Sequence, residues 1–118
     1  MNQNSGYSFD LSYLNQVFQG NQVMIKQIIS MFVKQVPSYI QEMEECVLKM
    51  DLDGLHPLAH KAKSSIAMLG LKDMEELILS IESRSKNGEN LDELPDLVKQ
   101  VSEECNEIKI QLETVLSD

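Results

Sequence analysis

Tryptophan is absent from this 118-residue chain, and tyrosine and phenylalanine number only three each. A core without large rings has to be filled by aliphatic side chains and by methionine, of which there are seven. Five glycines and three prolines leave few turns, so the elements between them must be long. Cys46 and Cys105 are the only thiols. Each falls in an apolar-periodic segment, which marks them as reduced core residues rather than a disulfide framework. No apolar run approaches the ~18 residues of a membrane span. The opening MNQNSGYSFD lacks both the basic start and the apolar middle of a signal peptide. A cytoplasmic protein is therefore expected. Positive charge is scarce too: ten Lys and Arg stand against 19 Asp and Glu, for a net charge of −9. That balance argues against a nucleic-acid partner, which is held by clustered basic residues.

What is present is ordinary globular chemistry, 42% hydrophobic and 25% charged. The length suits one domain over residues 1–118, with residues 1–9 or so as a flexible N-terminus. Strand-type alternation is absent, and apolar residues recur every three or four positions. Asp10 is placed to cap a short helix carrying Leu11, Leu14, Val17 and Phe18, stopped at Gly20. Asn21 opens a longer helix whose seam is Ile25, Ile28, Phe32, Val36, Tyr39, Met43, Cys46 and Met50. Pro37 lies inside it, yet the seam keeps its phase across the proline, so one continuous, kinked helix is expected.

Asp51 or Asp53 can cap the next helix, with the seam Leu55, Ala59, Ala62, Ile66 and Leu69 and Gly70 as its left-handed terminator. A further helix carries Met74, Leu77, Ile78 and Ile81 and fades into a polar turn from Ser85 to Asn90. The last, with Pro95 in its first turn, reads Leu94, Val98, Val101, Cys105, Ile108, Leu112 and Val115. The expected fold is all-α: an up-and-down antiparallel four-helix bundle over residues 10–116, with a short extra N-terminal helix.

The third of these long helices carries the chemistry. At about 100° per residue, His60 points roughly 140° and Ser64 roughly 180° away from the seam. Pro57 and Ala67 share that outer side, and Lys63 lies on its shoulder. The face around His60 is thus cleared of bulky residues, although solvated helix faces normally carry long charged ones, as Glu103, Glu107 and Glu113 do on the last helix. Lys61 and Lys63 place two of the ten basic residues within three positions of His60, where they would stabilise an anion carried on the ring. A merely solvated surface histidine is the bland alternative.

Other site chemistries fit less well. His56 and His60, spaced i, i+4, are a workable metal pair. Pro57 lies between them, however, no carboxylate or thiol follows one turn later, and Lys63 would repel a cation. A di-iron bundle needs Glu-x-x-His, and neither histidine has a glutamate three residues before it. Ser64 can reach His60, but the sequence offers no acid to orient the ring and no glycine-rich oxyanion loop. No independent enzyme activity is expected, and no metal site.

Ala59-His60-x-x-Lys63-x-Ser65, with Gly70 ten residues after the histidine, resembles the core motif of histidine-containing phosphotransfer (HPt) domains. The resemblance extends to Phe32 and Pro37, to Asp51 and Leu55, and to the run ending at Ile81-Glu82, and it covers roughly Asp10 to Glu113. It implies a phosphorelay carrier of two-component signal transduction. His60 would accept a phosphoryl group from a receiver-domain aspartate and pass it to another receiver. Lys63 would steady the phosphoryl oxygens, and Gly70 would be structural. Pro57, Lys61, Ser64, Ala67 and Met68 would form the docking surface. The partners implied are response-regulator receiver domains and a hybrid histidine kinase. No intrinsic cofactor is implied, since Mg2+ would sit in the partner receiver. With one modest exposed patch, a monomer is expected. The family usually has glycine where Ser64 stands; serine, the next smallest residue, is expected to be tolerated there. A non-phosphorylated helical adaptor or decoy, binding a receiver or kinase through the same face, is the alternative.

Overall fold

A computed structural model describes residues 11–117. The helices are α1 (Leu11–Val17), α2 (Gln22–Lys49), α3 (Leu52–Met68), α4 (Lys72–Asn87) and α5 (Leu94–Ser117). A short 3-10 turn, Leu91–Glu93, precedes α5. No strand occurs among the described residues. Each long helix packs on two neighbours, α2 on α3, α3 on α4, α4 on α5 and α5 back on α2. Connections this short between touching helices force neighbours to run antiparallel, so the expected bundle is the observed one. At about 1.5 Å per residue, the 28 residues of α2 account for the 42 Å long axis.

Capping follows local chemistry. The Asn21 side chain accepts from the Met24 N–H at 3.1 Å and starts α2. Asp51 accepts from the Gly54 N–H at 3.0 Å and starts α3. Arg84 ties the end of α4 to the connection that precedes α5, donating to the Asn90 carbonyl at 3.1 Å and pairing with Glu93 of the 3-10 turn at 2.7 Å. The suggested cap Asp10 lies outside the described residues.

The core is aliphatic, as the missing rings require. The α3 seam, Leu55, Ala59, Ala62, Ile66 and Leu69, is buried throughout. So is the α5 seam from Leu94 to Leu112, with Val115 half-buried. Helix α2 runs unbroken through Pro37. Its seam is shifted from expectation: Ile29 and Ile40 are fully buried, whereas Ile28 and Tyr39 only pack against the core. Adjacent apolar residues compete for the interior face, and pattern alone does not choose between them. Met50 leaves the helix in a left-handed conformation (φ 53) and is exposed, and Val17 is exposed on α1. Cys105 is buried, and burial pushes its thiol up to about 11. Cys46 is only half-buried, at the rim of a hollow beside Lys49 and Asp51. Helix α4 does not fade at Ser85. That residue is buried and helical, its hydroxyl donating to the Ile81 carbonyl at 2.8 Å. An internal bond of this kind makes serine acceptable inside a helix.

Gly70 ends α3 at φ +70, and a Cβ there would sit 3.0 Å from the Tyr13 ring of α1. Both the left-handed backbone and the contact disfavour any side chain. Gly70→Ala should cost about 1–2 kcal/mol, read as a lowered midpoint in urea or thermal unfolding.

Candidate functional site

Helices α3 and α4 form a hairpin about Gly70, and the small seam residues Ala59 and Ala62 let them approach closely. On this hairpin His60 stands near the middle of α3, its side chain 64% exposed. Glu82 projects from α4 with only 15% of its side chain exposed. Its Oε2 lies 2.7 Å from His60 Nδ1, and its Oε1 accepts from the Lys63 ammonium at 2.9 Å. His56, one turn before His60, brings its Nε2 within 3.9 Å of the same Oε2, beyond hydrogen-bond length.

Electrostatics fix the protonation pattern. Burial by itself would raise the Glu82 carboxyl. The hydrogen bonds from Lys63 and His60 outweigh it and hold the group below its ordinary value of 4.5. An ionised carboxylate only accepts hydrogen bonds, so the Nδ1 facing it carries the hydrogen. In the neutral ring, Nε2 then has the free lone pair, on the side away from Glu82. The arrangement is an oriented imidazole with an open Nε2 and a fixed counter-charge behind it.

Glu82 overturns the expectation that no acid orients the ring. The acid comes from the next helix, out of reach of any search along α3. A signal for it did exist. In an antiparallel hairpin, residues at similar distances from the turn face one another; His60 is ten residues before Gly70 and Glu82 twelve after it. Lys63, half-buried, spends its ammonium on Glu82 in this structure rather than reaching past His60.

The other candidate surface residues share α3 with His60, Pro57 and Ser64 about one turn from it and Ala67 and Met68 about two. Pro57, Lys61, Ser64 and Met68 are exposed and Ala67 is half-buried. Ser64 and Met68 also border a groove of about 140 Å³, completed by Ser65 and by Ile28, Met31 and Phe32 of α2. Ile28 belongs to the expected α2 seam and Met31 to no expected site, because periodicity within one helix does not show which residues of its neighbour stand beside it. Among the described residues, no group of three or more His, Cys, Asp or Glu is arranged to hold a metal ion. Nor is any helix among them long and apolar enough to cross a membrane.

Fold and site thus define a helical module that presents one oriented histidine on an otherwise regular bundle. The model of the Hpt domain family matches residues 27–114, spanning α2 to α5 and the whole His60–Glu82–Lys63 cluster, and the chain belongs to that family. Hpt domains are histidine phosphotransfer carriers of two-component phosphorelays; they work with receiver domains and kinases and are carriers rather than catalysts. No curated protein and no solved structure matches the chain.

Proposed function

We propose that His60 is the phospho-acceptor of a phosphorelay, taking a phosphoryl group from the aspartyl phosphate of one receiver domain and giving it to another. The observation that carries this reading is the exposed imidazole whose Nδ1–H is bound to Glu82, which leaves Nε2 as the nucleophile. In the transfer, the Nε2 lone pair forms the new N–P bond as the P–O bond to the aspartate breaks, and the electron pair leaves with the carboxylate. No proton has to move. The ring gains positive charge and Glu82 lies against it as counter-ion.

Phosphoryl transfer asks mainly for in-line positioning and charge neutralisation. The divalent metal, Mg2+, belongs to the receiver. Lys63 holds Glu82 in place in the resting protein and, released from Oε1, would steady the incoming phosphoryl oxygens. The surface formed by exposed Pro57, Lys61, Ser64 and Met68 and half-buried Ala67 would dock the receiver, with Lys61 facing its acidic pocket. The test is incubation with phosphorylated receiver domains and Mg2+, and the expected product is acid-labile phosphate on this chain.

Ser64 lies one turn after His60 and is exposed. Ser64→Gly should leave the transfer rate unchanged while costing about 0.5–1 kcal/mol of stability. Ser64→Tyr should block receiver transfer by filling the cleared face. Transfer kinetics alongside urea titration check both.

A further inference from the structure

The described methionines differ sharply in environment. Met43 and Met74 are wholly buried. Met24 sits in the first turn of α2 and Met50 at its C-cap, both exposed. Met31 and Met68, 52% and 44% exposed, come from α2 and α3 and share the groove beside Ser64, over the apolar floor of Ile28 and Phe32. An apolar docking groove needs no sulfur, since leucine fills such a site as well. What the thioether adds is reactivity.

We propose that Met31 and Met68 are a pair of reversible oxidation sites through which peroxides switch off receiver docking. This rests on the docking role given to this face above. In the step, a sulfur lone pair takes the terminal oxygen of hydrogen peroxide. An S–O bond forms, the O–O bond breaks and water leaves; sulfur is oxidised and the peroxide reduced. A dithiol-dependent sulfoxide reductase reverses it: the S–O bond breaks, the oxygen departs as water, and the dithiol becomes a disulfide.

Each sulfoxide places a strong acceptor in the groove. Ile28 and Phe32 offer no donor, and the hydroxyls of Ser64 and Ser65 supply fewer donors than two sulfoxide oxygens can accept, so the oxygens keep water that a docked receiver would have to displace. Cys105 is buried and Cys46 half-buried. Burial raises both, Cys105 to about 11, and the thiolate is the reactive form. Buried Met43 and Met74 are shielded and serve as internal references.

The experiment treats the full chain with hydrogen peroxide and maps the added oxygen by peptide mass spectrometry. His60 phosphorylation is then followed from two donors: a phosphorylated receiver domain, which must dock, and phosphoramidate, which needs only the imidazole. One oxygen each is expected on Met31 and Met68 and none on Met43 or Met74. Receiver-dependent labelling should fall about tenfold or more, phosphoramidate labelling should persist, and methionine sulfoxide reductase should restore the former. Met31→Leu/Met68→Leu should make receiver transfer insensitive to peroxide, whereas Met24→Leu/Met50→Leu should leave it sensitive. Complete oxidation of Met31 and Met68 with receiver transfer unchanged would overturn the proposal, and so would sensitivity that survives in Met31→Leu/Met68→Leu. Absence of receiver labelling before any peroxide is added would instead refute the carrier role, and this proposal with it.

Discussion

His60→Gln should abolish acid-labile phosphate on this chain whatever receiver supplies it, while helicity and the unfolding midpoint stay close to the parent's. The loss is complete because a glutamine amide nitrogen has no free lone pair to attack phosphorus, whereas imidazole Nε2 does. The fold survives because the imidazole is mostly solvated and sits outside the α3 seam. Glutamine is also a good helix former and keeps an amide to donate to Glu82. The measurement is labelling from phosphorylated receivers, paired with circular dichroism. Phosphate that remains on the glutamine variant would move the acceptor to another residue, with His56 first in line.

Substitution of Glu82 gives the second large effect, and it separates chemistry from stability. A hydrogen bond to a charged group is worth about 1.5–3 kcal/mol, or roughly ten- to a hundredfold in rate. Glu82→Ala should slow receiver transfer by that factor, since the ring loses both its orientation and its counter-ion. Glu82→Gln keeps an oxygen for Nδ1–H but loses the charge, so it should fall between the parent and the alanine variant. Equal rates in all three proteins would reduce Glu82 to a structural role.

The carboxyl also makes stability depend on pH. Its value is lowered on folding, so the unfolded chain binds its proton more readily than the folded one. The stabilisation is present above the ordinary 4.5 and is lost as pH falls through the depressed folded value. The unfolding free-energy gap between parent and Glu82→Gln should therefore be widest near neutral pH and should shrink at about pH 3.

Much of this molecule is legible in local pattern. Asn21 and Asp51 cap the helices they precede because a short acceptor side chain meets free N–H groups there. In α3 and α5 the inward residues recur every three or four positions in one phase, and the adjacent Leu58 and Leu97 only pack against the core they form. Where apolar residues crowd, as at Ile28-Ile29 and Tyr39-Ile40, the sequence leaves two solutions, and packing against α3 and α5 selects one. Ser85 misleads for a related reason. A polar residue after Ile81 looks like the start of a turn until its hydroxyl is seen bonded to the preceding carbonyls.

By itself the sequence determines the bundle, the inward seam of α3 and the solvent-facing position of His60, all of which follow from the 3.6-residue period within single helices. The resemblance to HPt domains, borne out by the family match, rests on that same stretch. Only the tertiary structure decides that Glu82 stands behind the imidazole, that Lys63 is bound to Glu82, and that Met31 shares a groove with Met68. Each of these joins side chains on different helices, where the interhelical spacing and the rotation of each helix about its axis set the distance. Those two quantities emerge from the packing of the whole core, which no segment specifies alone.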